Sequence, residues 1–133
     1  MIRNLLLSAL LCLGCATQFH GGEPAKQQAA KRNYLALLQS EHEGVRNSTI
    51  FRVLQYKAAY PQDDCRDFLK RLQEISLNDP STKNRVYAFL ACTLLRDAKL
   101  MAAAQPPLTE EEKETYFAGL QEVLQQHWIA ARE

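Results

Sequence analysis

The chain has 133 residues, which fits one domain and argues against a second of ordinary size. Its 16 basic and 15 acidic residues give a formal net charge of +1, and this balance argues against a nucleic-acid-binding protein. Hydrophobic residues make up 47% of the chain, as in folded globular proteins. Leu and Ala far outnumber Val and Ile, so the composition favours helices, and only five glycines argue against a turn-rich β-sandwich.

The N-terminus has the pattern of a secretory signal. A short positively charged start precedes the apolar run 5–13, which is shorter than the ~20 residues that a membrane-spanning helix needs. Gly14 and Cys15 resemble the end of a bacterial lipobox, where signal peptidase II cuts before a lipid-modified cysteine. This resemblance implies a signal peptide over 1–14 and a lipid anchor on Cys15. Two alternatives remain, namely cleavage after Ala16 to give a secreted protein, and an uncleaved anchor.

The residues after the anchor predict where the protein lies. By the same resemblance, Ala16 directly after the modified cysteine favours the outer membrane over the inner one. Residues 15–25 contain two glycines and a proline, which predicts a short lipidated tether. Residues 26–133 remain to form the folded domain. The predicted location is the periplasmic face of the outer membrane, with secretion as the alternative.

Helical periodicity predicts five helices in the folded domain. Four of them have the approximate bounds 26–39, 46–59, 81–103 and 109–128, and the third lies between Pro61 and Asn78. The helix over 81–103 is apolar nearly all round, which is typical of a central, buried helix.

Polar residues at predicted ends mark the helix boundaries. Asp63 or Asp64 is expected to cap the third helix, because a short carboxylate side chain satisfies free backbone N–H groups. Asp79 and Pro80 suit the N-cap and the first position of the fourth helix. For the fifth helix, Thr109 and Glu112 have the spacing of a capping box.

Shifting the sequence by 39 residues aligns two helical hairpins. The shift superposes pairs of residues with matching character: Leu38 on Leu77, Arg46 on Arg85, Ile50 on Phe89 and Val53 on Cys92. The sequence therefore predicts an all-α fold of two antiparallel helical hairpins. Because two repeats bury too little apolar surface by themselves, the C-terminal helix is expected to cover the second repeat as a cap.

The residues around the two turns resemble the HEAT family of helical repeats. The resemblance covers about residues 30–103 and rests on the Asp79-Pro80 turn, on Arg85 early in the helix that follows, and on Arg46 at the matching place in the first hairpin. It implies that Asp and Arg at these positions join neighbouring repeats. The alternative is a pair of helical hairpins without common ancestry, since the 3.6-residue period is general.

Two cysteines lie within the folded domain. Cys65 and Cys92 are nearly equidistant from a turn near residues 78–80, so an antiparallel hairpin places them at about the same height. In an oxidising periplasm we expect a disulfide between them, worth roughly 3–4 kcal/mol in the chain-entropy model. The alternative is two reduced cysteines that are buried separately.

The sequence contains no nucleotide-binding loop, zinc pattern or nucleophile elbow, so we predict no catalytic residue, metal or cofactor. Three histidines, at 20, 42 and 127, share no ligand spacing and are expected to be exposed. The acidic run from 110 to 114 suits the positive end of a helix dipole. Tyr56 and Tyr60 lie one turn apart and are expected either to anchor a protein interface or to form the edge of the core.

Together these features predict a non-enzymatic cell-envelope lipoprotein whose helical-repeat surface binds another protein. The expected partners are an envelope protein and, through the lipid, the membrane. One alternative is a pilotin-like factor that escorts another envelope protein and needs a groove for a partner helix. An enzyme would need a polar pocket with perturbed titratable groups, for which the sequence gives no sign.

Overall fold

The computed structural model describes residues 23–133. In this range the segments with apolar helical periodicity form helices. The helices are α1 (Glu23–Leu37), α2 (Glu43–Ala59), α3 (Arg66–Asn78), α4 (Thr82–Arg96), α5 (Ala98–Ala103) and α6 (Lys113–Ala130), with a 3₁₀ turn over Glu110–Glu112. No strand occurs in these residues, and the predicted all-α fold is confirmed. The predicted signal peptide, Cys15 and His20 lie outside the described range.

Contacts divide the chain into two units. The first ends at Arg32, and its described part is the start of α1. This helix begins at Glu23, so the last three residues of the predicted tether are helical, because Pro24 is tolerated in a first helical turn. The second unit, Asn33–Glu133, contains the end of α1 and every later helix.

The core of the second unit lies among α2, α3 and α4. Helices α3 and α4 form a closely packed hairpin, and α2 packs beside α4. The fully buried side chains come from all of these helices, from α6 and from the turn after α1, and the largest are Phe51, Phe68, Phe117, Leu38, Ile50 and Leu54. Complete burial of a side chain of this size contributes about 1.5–3 kcal/mol relative to exposure, so these residues hold the hairpins together.

The predicted helix over 81–103 is interrupted. Asp97 has an extended backbone (φ −126°, ψ 102°), and its side chain accepts a hydrogen bond from the N–H of Leu100 at 3.0 Å. An aspartate at this position therefore ends α4 and caps α5. The apolar pattern continues across the break, which is why periodicity alone missed it.

Helix α4 also begins later than predicted. Its N-cap is Ser81, whose hydroxyl accepts from the N–H of Asn84 at 3.2 Å, whereas Asp79 is the C-cap of α3. The Asp79 carboxylate instead accepts from the N–H of Ser81 at 2.9 Å, a bond to the backbone two residues on. Pro80 therefore lies in the turn and not at the first helical position.

Two other predicted caps are replaced by different bonds. Asp63 and Asp64 bond the N–H groups of Cys65 and Arg66, two residues on, and Cys65 takes the N-cap position of α3. Thr109 donates to the Glu112 carboxylate at 2.8 Å, side chain to side chain. The predicted capping box is therefore absent, and the C-terminal helix starts through a 3₁₀ turn.

Candidate protein-binding surface

The two hairpin turns repeat the same arginine contacts at a spacing of 39 residues. In each turn the arginine Nη1 donates to two consecutive backbone carbonyl groups: Arg46 to Ser40 and Glu41 at 2.8 and 3.0 Å, and Arg85 to Asp79 and Pro80 at 2.6 and 3.3 Å. The period therefore describes a repeated conformation as well as a repeated sequence.

The residue that opens each turn also has a repeated role. The Ser40 hydroxyl accepts from the N–H of His42 at 3.2 Å, and the Asp79 carboxylate accepts from the N–H of Ser81 at 2.9 Å. The two donor residues, which lie two positions further along the chain, have nearly identical backbone angles, with φ −82° and ψ 118° at His42 and φ −80° and ψ 119° at Ser81. Serine thus replaces aspartate in the turn, but it brings no carboxylate to bond an arginine.

Arg46 and Asp79 join the two repeats. The Arg46 Nε and Nη2 donate to the two carboxylate oxygens of Asp79 at 2.7 and 3.0 Å, and the Asp79 side chain is almost completely buried. These hydrogen bonds lower the pKa of Asp79 and raise that of Arg46. The contact that the HEAT resemblance implies between these residues is therefore present.

A second buried polar contact between the repeats was not predicted. The amide nitrogen of Asn47 donates to the amide oxygen of Asn84 at 2.9 Å, and Asn84 donates to the Glu43 carbonyl at 3.2 Å. Asn84 is completely buried. The 39-residue shift places Asn84 on Val45, and this polar residue at an apolar position was the available signal, because a buried amide requires partners.

Helix α6 and the 3₁₀ turn cover one face of α2 and α4. The hydroxyl of Ser48 on α2 donates to Glu110, and the hydroxyl of Tyr87 on α4 donates to Glu114. Lys83 also bonds Glu114 at 2.7 Å. These contacts lower the pKa of both glutamates, mainly through Ser48 for Glu110 and through Lys83 for Glu114.

The cap therefore covers both hairpins and not only the second. Gln55 of α2 donates to the carbonyl groups of Pro107 and Leu108 at 2.8 and 3.2 Å. Phe117 of α6 stacks on Tyr87, with ring centroids 3.9 Å apart, and meets Phe51 edge-on. Two carboxylates of the acidic run, those of Glu110 and Glu114, contact side chains of α2 and α4, a role that the helix dipole alone does not predict.

The second repeat exposes apolar residues whose equivalents in the first repeat are buried. Leu38 is 1% exposed and lines one pocket together with Ile75 of α3, whereas its equivalent Leu77 is 76% exposed. Ile50 on α2 is fully buried, whereas Phe89 on α4 is 51% exposed. Likewise, Asn47 on α2 is buried and contacts α4, whereas its equivalent Val86 is 40% exposed.

We call this surface the open end; it consists of Leu77, Val86, Phe89 and Trp128. Trp128 of α6 meets Phe89 edge-on, with ring centroids 6.4 Å apart, and remains 43% exposed. The cap therefore reaches this surface without covering it.

A shallow groove of about 540 Å³ lies between the end of α1 and the start of α2. Its lining is mainly apolar and includes Tyr34, Leu37 and Val45, with Arg52 at one side. A side-chain carbon added at Gly44 would meet no atom within 4 Å, so space is open at that point.

Tyr56 belongs to the core, as the core-edge alternative predicts. It is buried against Tyr34, Tyr60 and Phe68, and its hydroxyl donates to Asp63 at 2.6 Å. The apolar neighbours attract the ring, and the nearby carboxylate satisfies the hydroxyl. Tyr60 is half-buried beside it, so the pair forms the core edge that was the alternative.

The predicted Cys65–Cys92 disulfide is absent from the described structure, in which both cysteines are buried separately. The turn lies between Asn78 and Thr82, later than predicted, which shifts the register of the hairpin. The Cys92 Sγ therefore lies 4.0 Å from the Leu69 carbonyl, one turn beyond Cys65. Cys65 itself has a left-handed backbone with φ 53°.

The Cys92 thiol is expected to react slowly in the folded protein. Burial raises its pKa to about 11, against the opposing charge of Arg96, so little thiolate exists near pH 8. Alkylation followed by peptide mass spectrometry should show slow labelling without denaturant and fast labelling in urea. Equal rates under the two conditions would contradict this expectation.

The remaining candidates lie on the surface. His42 and His127 are exposed, as predicted. Within residues 23–133 there is no group of three or more His, Cys, Asp or Glu side chains that could hold a metal ion. None of the helices in this range combines the length and apolar character needed to cross a membrane.

No protein-family model, curated protein or solved structure matches this chain. The arguments on function therefore depend on the residues and contacts described above.

Proposed function

We propose that this chain is a non-enzymatic cell-envelope lipoprotein whose helical-repeat surface binds another protein. The observation that carries the proposal is the open end, where Leu77 and Phe89 are exposed although the equivalent residues of the first repeat are buried. Large apolar side chains grouped on a surface favour association with another protein. The HEAT resemblance supports the same proposal, because stacked repeats bind partners through extended faces.

The membrane part of the proposal rests on Cys15. A lipobox cysteine carries several acyl chains, and more than one chain is needed for stable anchoring. We expect the native protein to fractionate with membranes and to start at Cys15, whereas the Cys15→Ala variant should keep residues 1–14, because signal peptidase II cuts only before a lipid-modified cysteine. Mass spectrometry of the N-terminal peptide should show a lipid-modified cysteine in the native form.

The matched control is Cys92→Ala, which leaves the lipobox intact and should remain in membranes. An unmodified N-terminal peptide that starts after Ala16 would favour the secreted alternative. A native protein that keeps residues 1–14 and carries an unmodified Cys15 would favour an uncleaved anchor.

The pilotin-like role is the second candidate, and the α1–α2 groove favours it. Its apolar lining and open space at Gly44 suit one face of a partner helix. Gly44→Trp should fill the groove without touching the open end, so loss of a partner's outer-membrane delivery in this variant alone would support the escort role.

A further inference from the structure

We infer that the open end binds a helical hairpin of a partner protein, which stacks on α3 and α4 as a third repeat and offers a carboxylate to Arg85. This inference rests on the proposed protein-binding function and names the class of partner. Its basis is the interface between the two repeats of this chain, which shows what covers the equivalent surface of the first repeat.

The apolar part of that interface provides the first argument. In the first repeat, Leu38 and Ile50 are buried, α2 packs beside α4, and Leu38 lines one pocket together with Ile75 of α3. Leu77 and Phe89 occupy the same positions one repeat later and have no such cover. Inside the molecule, the equivalent surface of the first repeat is therefore bound by a helical hairpin.

The polar part provides the second argument. Arg46 uses Nη1 for the carbonyl groups of its own turn and uses Nε and Nη2 for the carboxylate of the next repeat. Arg85 makes the same carbonyl contacts, and its Nη2 donates to Thr82 at 2.9 Å. Among the described hydrogen bonds none uses the Arg85 Nε, so a carboxylate on the partner's turn would complete the pattern.

A second copy of this chain fits the open end less well. Head-to-tail stacking would place the first hairpin of one copy there, and at the position of Asp79 its turn has Ser40, which has no carboxylate, with Glu41 one position later. The complement is therefore a different protein.

Site-specific photo-crosslinking of the full chain in its own cells tests the inference. The variant Phe89→p-benzoylphenylalanine should crosslink to another protein, and the crosslinked peptide should lie in a helical hairpin that has Asp or Glu at the turn position that Asp79 occupies in this chain. Adding Leu77→Glu should lower the yield about tenfold, because it places a charge in the apolar contact. Leu77 is exposed, so the fold should tolerate this change.

Leu108→Glu is the matched control and should leave the yield unchanged, since Leu108 is 91% exposed and its backbone carbonyl accepts from Gln55 of α2. Reversing the charge of the partner's turn residue should also lower the yield. Crosslinks to a second copy, to lipid, or to a segment that is not a helical hairpin would overturn the inference.

A second crosslinker position separates this inference from the proposed function. Protein crosslinks from Gly44→p-benzoylphenylalanine without any from position 89 would keep a protein-binding role and overturn the open-end partner. No protein crosslink from either position would overturn both.

Discussion

Asp79→Ala is expected to lower the free energy of unfolding by about 3 kcal/mol at pH 7. The change removes one partner of a nearly buried ion pair and leaves Arg46 with only its carbonyl acceptors. Breaking such a pair typically costs about 3–5 kcal/mol, and the carbonyl contacts favour the lower end. Urea denaturation monitored by circular dichroism measures the difference.

The matched control is Glu74→Ala. Glu74 pairs with Arg71 at 2.6 Å, but both side chains are substantially exposed, so the loss should stay below about 1 kcal/mol. A double-mutant cycle with Arg46→Ala should give a coupling of about 1–3 kcal/mol. Equal losses in Asp79→Ala and Glu74→Ala would show that the contact does not hold the repeats together.

The same pair predicts a pH dependence. Hydrogen bonds from Arg46 hold the pKa of Asp79 below its usual value, so the folded state favours the carboxylate. The resulting stabilisation is fully present above the unfolded pKa of about 3.9, and it disappears as the pH falls through the lower, folded value. Asp79→Asn should therefore have a flatter stability profile below about pH 4 than the native protein.

The sequence predicted the repeat better than the helix ends. A shift of 39 residues identified Arg46 and Arg85 as equivalent, and their hydrogen bonds are indeed equivalent. The predicted bounds of α4 differ from the observed ones because Asp79, Ser81 and Asp97 can each accept hydrogen bonds from nearby backbone N–H groups. Which of these groups caps a helix depends on contacts from distant residues, such as the Arg46 side chain on Asp79.

The open end could not be predicted from periodicity. Leu77 and Phe89 have the same apolar spacing as their buried equivalents, and a spacing does not show whether a neighbouring repeat is present. The position of Trp128 depends on how α6 crosses α4, which follows from the contacts of Glu114 with Lys83 and of Phe117 with Tyr87.

Phe117→Ala is expected to lower the free energy of unfolding by about 3–5 kcal/mol, the usual cost of removing a buried aromatic ring. The ring is 1% exposed and packs between Tyr87 of α4 and Phe51 of α2, so its loss leaves a cavity beneath the cap. Val123→Ala on the same helix is the control and should cost less than about 1 kcal/mol, because Val123 is already partly exposed.

Trp128 lets the same variant show which part of the molecule opens first. It is the chain's single tryptophan and touches Phe89, so its fluorescence reports whether α6 is docked on α4. In Phe117→Ala the transition in Trp128 fluorescence should occur at a lower urea concentration than the loss of helical circular dichroism. Without the Phe117 ring, α6 is held by the polar contacts of Glu110 and Glu114, and these are weak because they are accessible to solvent. Coincident transitions would show that α6 and the two hairpins unfold as one unit. The open end would then form only when the whole domain is folded.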